Sequence, residues 1–74
     1  MIDWKEEFTE RVMGFSSTAH FINVTFSVHA AIFALPVERE DFVRQMTNIA
    51  HAFKSGQPVK VEVNGQEVLS VGEP

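Results

Sequence analysis

Apolar residues near the start of the chain, Trp4, Phe8, Val12 and Phe15, recur at intervals of three and four, the period of one helix face. Lys5, Glu6, Glu7 and Glu10 fall on the opposite face, and Asp3 with Glu6 three positions later has the form of a capping box. The spacing predicts an amphipathic helix over about 4–13, ended by Gly14. From His20 to Val28 the period changes to two. Ile22, Val24, Phe26 and Val28 share one side with Asn23, Thr25 and Ser27 on the other, the signature of a half-buried strand. Beyond His29, residues 30–35 are apolar on both sides. Either the strand runs on into a place covered from both faces or the chain makes a short helical turn before Pro36; no turn residue interrupts the run and Leu35 precedes a proline, which favours the strand.

Pro36 then opens an expected second helix, over about 37–54. Glu38, Glu40 and Asp41 stand in its first turn and Lys54 in its last, both signs matching the helix dipole. Phe42, Met46, Ile49 and Phe53 make its apolar stripe, with Val43 and Ala50 beside them, and Gly56 supplies the stop. The chain closes with two β-rich runs, 58–63 and 66–71, around Asn64-Gly65, a strong hairpin signal that implies a type I′ turn. A two-residue turn there pairs Val61 with Val68 and strands Leu69 and Val71 on the polar face. An odd-numbered turn would return them to the valine face.

These elements predict an α+β fold, a two-layer sandwich in the order α-β-α-β-β, with a three-stranded sheet and both helices on one face. The expected core is Trp4, Phe8, Val12, Ile22, Val24, Phe26, Phe42, Met46, Ile49, Phe53, Val59, Val61 and Val68. Ala31, Phe33, Leu69 and Val71 are left on the uncovered sheet face.

Charge sharpens this picture. Charged residues make up 22% of the chain, yet none occurs from Val12 to Val37. A stretch of that kind is hidden in the core or against another molecule. It is interrupted by Ser16, Ser17, Thr18, His20, Asn23, Thr25, Ser27 and His29 too often for a membrane span of about 20 apolar residues. A length of 74 residues allows a single small domain, 1–74, with thin stability that a second subunit would support. The absence of cysteine removes disulfides and thiolate metal sites and accords with a reducing, cytoplasmic setting. The acidic first residues do not have the form of a secretory signal. Six Lys and Arg dispersed among ten acids, a net charge of -4, argue against direct nucleic-acid binding.

The candidate chemistry is sparse. His20 and His29 differ in parity along the strand, and His51 lies on the polar back of the second helix, so no joint metal site is expected. His29, where the alternation ends, is the one placed to border a pocket or touch a partner. The carboxylates at Glu6, Glu7 and Glu10 and at Glu38, Glu40 and Asp41 read as helix starts and solvated faces. The order helix, glycine, strand, Asn-Gly, strand is similar to the middle of the histidine-containing phosphocarrier proteins. That family's active histidine lies in a His-x-x-Arg pattern before the helix, where this chain has Leu35, Pro36, Val37 and Glu38. Only a common supersecondary unit is shared, and no family is recognised.

The expected function is a small cytosolic protein-binding module, an adaptor, inhibitor or homodimeric subunit, with His29, Phe33, Leu69 and Val71 as its binding surface. No catalytic residue, metal or cofactor is expected. Two other readings stand beside it: a small oligomeric enzyme or ligand-binding protein with a site around His29, and an acidic mimic of nucleic acid.

Overall fold

The computed structural model describes residues 4–73. Six strands and one helix follow in the order β1(Lys5–Glu10), β2(Val12–Ser17), β3(Phe21–Phe26), β4(Phe33–Pro36), α1(Phe42–Ser55), β5(Val59–Asn64) and β6(Glu67–Val71). The expected two-helix sandwich with three strands is therefore replaced by one helix and a six-stranded mixed sheet in the order β1-β5-β6-β4-β3-β2.

That order forces the sheet to roll. β1 and β2 stand at its two ends, yet Arg11 alone joins them. A flat sheet of six strands would set its edges about 24 Å apart at about 4.8 Å per strand. One intervening residue spans at most about 7 Å. The two ends must meet, and they do so across Arg11, whose carbonyl accepts the amide of Ser27 at 3.0 Å while its own amide donates to Ser27 Oγ at 3.2 Å. A β-bulge at Met13, between the pairs Val12–Phe26 and Gly14–Thr25, bends the chain where it passes from one side to the other. With β1 and β2 counted as one bent strand, the order is 1-2-3-5-4-1 and the third and fifth strands run parallel. This is the connectivity of an OB-type Greek-key barrel.

The first expected helix is thus two strands. Glu6, Phe8 and Glu10 share one side of β1, and Glu10 is buried together with Val12. Charges at two of three inward positions erase the period-two signal and leave the helical one. Asp3, the supposed cap, lies outside the described residues. The expected long strand is likewise two, β3 and β4, paired antiparallel through Ile22–Leu35 and Val24–Phe33, with residues 27–32 as the connection. In the second half, α1 starts five residues later than the spacing implied. Glu38 and Glu40 precede it, and Asp41 stands at its N-cap without a side-chain cap bond. Its C-terminal end agrees with expectation: Lys54 is in the last turn, and Gly56, at φ 70°, donates its amide to Ala52 O at 3.1 Å. Its buried line is Gln45, Ile49 and Ala52, whereas Phe53 is exposed and meets Phe15 edge-on at 5.4 Å.

The barrel interior holds Val12, Ile22, Val24, Phe26, Phe33, Leu35, Ile49 and Ala52 with Val59, Val61, Val63, Val68 and Val71. Phe8, Phe42 and Met46 pack against it, while Trp4, expected inside, is exposed. The barrel is weakest between β4 and β6, where pairing is confined to Ala34 and Glu67. Beyond that point side chains close the edge of β6. Arg39 donates to Val68 O and Leu69 O, Gln45 Oε1 accepts the Val71 amide at 2.9 Å, and Asn48 Nδ2 donates to Val71 O at 2.8 Å. An open strand edge is thereby denied to other chains.

The hairpin turn also differs from expectation. Asn64 pairs with Glu67 and Val63 with Val68, which makes Gly65 and Gln66 the central residues. Gly65 has φ 60° and, among the described residues, none other than glycine has positive φ, the demand of a type II′ turn and not of I′. Leu69 is then the extra residue of a β-bulge, and Val71 returns to the inward side opposite Val61. Gly65→Val should lower stability by about 1–3 kcal/mol in urea denaturation, because a β-branched residue resists this backbone conformation. A neutral effect would contradict the turn.

Candidate functional site

The four residues expected to form a binding surface do not come together on one. Phe33 and Val71 are core residues, 4% and 2% exposed, Leu69 is a half-buried bulge residue on β6, and His29 lies in the connection between β3 and β4. The Phe33 ring is covered by Phe8 and Phe26 of its own chain. The cause is register: the β6 bulge turns Val71 inward, and the turn after β3 reverses the chain so that Phe33 packs on Phe26.

The uncharged stretch does create a surface, on the outward side of β2, β3 and β4. Inward positions of β3 are Ile22, Val24 and Phe26, so Phe21, Asn23 and Thr25 point away from the core. Their cross-strand neighbours are Gly14 beside Thr25, Ser16 and Ala34 on either side of Asn23, and Pro36 beside Phe21. No Asp, Glu, Lys or Arg lies on β2, β3 or β4, and the exposed Glu67, paired with Ala34, marks the border of this face toward β6. A groove of about 250 Å³ runs along it, lined by Gly14, Phe15, Ser16, Asn23, Thr25 and Ile32. Thr25 Oγ1 is committed to Gly14 O at 3.3 Å. The half-buried Asn23 amide makes no hydrogen bond among the described residues, so its donor and its acceptor are both available to a ligand. By contrast, the outward side of β1 and β5 is charged, with Lys60 paired to Glu7 at 3.4 Å.

Next to this face stands a second arrangement that the spacing did not reveal. The buried Glu10 carboxylate accepts the amides of Val28 at 2.9 Å and His29 at 3.0 Å through Oε1, and its Oε2 meets His29 Nδ1. His29 Nε2 lies 3.6 Å from Glu6 Oε2. The imidazole stacks on Phe8 at 4.1 Å and meets Phe33 edge-on at 6.0 Å. Burial pushes the Glu10 carboxyl up, but the two amides and the imidazole outweigh it and hold it below the ordinary carboxylate value. For His29 the hydrogen bond to Glu10 is the strongest influence, burial opposes it and Glu6 adds to it, leaving the ring more basic than usual. A histidine with a carboxylate at each nitrogen is an ion-paired clasp. Its sequence signal was Glu10 on the inward side of a strand, invisible while residues 4–13 read as a helix.

A larger hollow, about 460 Å³, lies between α1 and the β5–β6 pair and is lined by Arg44, Gln45, Asn48, Lys60 and Glu62 among others. Its amides, Gln45 and Asn48, are already bound to the Val71 backbone. Among the described residues no group of three His, Asp or Glu side chains has the geometry of a metal site, and no helix is long and apolar enough to cross a membrane. No protein-family model, curated protein or solved structure matches the chain.

Proposed function

We propose that this domain is a small cytosolic protein-binding module that receives an uncharged segment of a protein partner on the outward face of β2, β3 and β4. The observation that carries the reading is a face free of charge, in a chain with 22% charged residues, whose groove presents an unpaired amide at Asn23. Size favours a protein over a small molecule. Small-molecule pockets enclose about 300–1,000 Å³ and bury most of their ligand. A groove of about 250 Å³ open along a sheet suits one or two side chains of a larger partner, with the amide serving that partner's backbone. Net charge of -4 and the lack of any cation on this face count against nucleic acid as the ligand, although barrels of this connectivity often bind it. The mimic reading loses its motive: Glu6 and Glu10 are engaged by His29, and Asp41 by Arg39.

Asn23→Lys tests the face. Asn23 points outward, so the change should leave the melting curve within about 0.5 kcal/mol of the parent. Proteins captured from the native cell by the parent domain should be lost from the variant, because a charge buried in an apolar groove is heavily penalised. Retention of the same proteins by a folded Asn23→Lys variant would remove this face from consideration. Light scattering at micromolar concentration then sorts the partner: twice 8.3 kDa means a second copy, and 8.3 kDa a foreign protein.

A further inference from the structure

The connection over residues 27–32 is bound at one end and forms part of the groove at the other. At its start, Val28 and His29 give their amides to Glu10, and the His29 ring is gripped by Glu10 and Glu6. Three residues on, Ile32 is one wall of the groove. Between them lie Ala30 and Ala31, both exposed, and Val28 and Ile32 are themselves 79% and 57% exposed. Ser27 is tied to Arg11, and beyond it little apolar burial other than the His29 ring on Phe8 holds this segment down, so residues 28–32 are anchored through His29 and its clasp on Glu10. Glycine, proline and asparagine are absent from residues 27–32, so the buried carboxylate does the work that turn residues do elsewhere.

We propose that residues 27–32 form a histidine-latched flap, closed while the imidazole of His29 carries its second proton and loosened when that proton leaves, so that the wall of the groove at Ile32 responds to pH. The regulatory consequence rests on the binding face proposed above; the latch does not. The charged groups facing the ring are Glu10 and Glu6, both on β1, and the neighbours contributed by β1 and β4 are the uncharged rings of Phe8 and Phe33. Deprotonation removes the ion pair with Glu6 and leaves the bond to Glu10 with only the carboxylate charged, a weaker bond than the one between two ions. The sign follows from the raised basicity of the folded histidine. Closure is fully supported below the ordinary histidine value and weakens as pH rises through the value in the latched state. At the acid end the flap loosens again once Glu10, held below the ordinary carboxylate value, takes up a proton.

The test uses the whole chain and needs no partner. Amide protection of Val28 and His29, corrected for intrinsic exchange, is measured by NMR between pH 5.5 and 8.5 in the parent and in His29→Gln, with the His29 ring resonances followed in the same samples. Protection in the parent should fall as the ring titrates, by a factor equal to the ratio of the ring's acid constants in the open and latched loop. His29→Gln should show one low protection at every pH while β3 and β5 amides stay protected. Equal protection of the parent at both ends of the range would overturn the latch, as would a pH-dependent loss that persists in His29→Gln. Should His29→Gln unfold, Glu6→Gln, on an exposed side chain, replaces it and should move the ring titration and the loss of protection downward together; movement of neither overturns the latch. A latch that passes while Asn23→Lys leaves capture unchanged would overturn the binding face alone.

Discussion

Phe33→Ala is expected to lower the stability of the domain by about 3–5 kcal/mol, the range for truncating a buried phenylalanine. A chain of 74 residues has about 4–11 kcal/mol in total, so this one truncation removes a large share of the domain's stability. The ring is 4% exposed and joins Phe8 and Phe26, each with a centroid separation of 5.7 Å. These three rings fill the end of the barrel under the β1–β2 junction, and His29 lies over them. Phe8 and Phe26 also meet each other, at 5.3 Å, and removing Phe33 from this cluster leaves a cavity that the neighbouring strands cannot close, because Leu35 and Val24 nearby are themselves fully buried. Chemical denaturation decides the matter. A loss of less than about 0.5 kcal/mol would return Phe33 to the surface, where the alternation of the sequence put it.

That misplacement shows where pattern reading works in this chain and where it stops. Elements whose alternation faces only the core were legible: the valines of β5, the inward line Ile22, Val24 and Phe26, and the end of α1 at Gly56. Three failures share one residue. Glu10 faces inward because a histidine awaits it there, and this acid at a core-facing position gave residues 4–13 the look of a helix. Glu10 also supplies the amide partners of Val28 and His29, so the chain reverses after β3 without any residue that announces a turn. With the reversal hidden, β3 and β4 read as one strand and Phe33 took the wrong face. Local rules are broken where a long-range polar contact replaces them. The fourth failure has another origin, since a one-residue displacement of the turn from Asn64-Gly65 to Gly65-Gln66, offset by the bulge at Leu69, is invisible to parity counting. Of the uncharged stretch from Val12 to Val37, the inward residues are core, as one of its two expected senses required, and the outward residues make the face of β2, β3 and β4.

Arg39 is the residue whose loss should be felt furthest from its own position. Its Nε and Nη2 grip both oxygens of Asp41, at 3.0 and 2.8 Å, while Nη2 also donates to Leu69 O at 2.6 Å and Nη1 to Val68 O. Asp41 in turn accepts from Gln45 Nε2 at 3.1 Å, and Gln45 holds the Val71 amide. One guanidinium thus ties the segment before α1, the first turn of the helix and the open edge of β6. Charge-assisted bonds of this kind contribute about 1.5–3 kcal/mol each when half-buried groups would otherwise go unpaired, and they act here as one network. Arg39→Ala should therefore cost about 2–4 kcal/mol in urea denaturation. Arg39→Lys keeps the charge but lacks the planar fork, so it should recover less than half of the loss. The pH dependence has a sign. The guanidinium holds the Asp41 carboxyl below its ordinary value, so this support is present above that value and disappears as pH falls through the lowered one; the acid limb of the parent should flatten in Arg39→Ala. Because the carbonyls of Val68 and Leu69 would then face solvent along an unsealed strand, the variant should also scatter more light on refolding. A variant as stable as its parent, with an unchanged acid limb, would mean that the β4–β6 opening is closed by something other than this arginine.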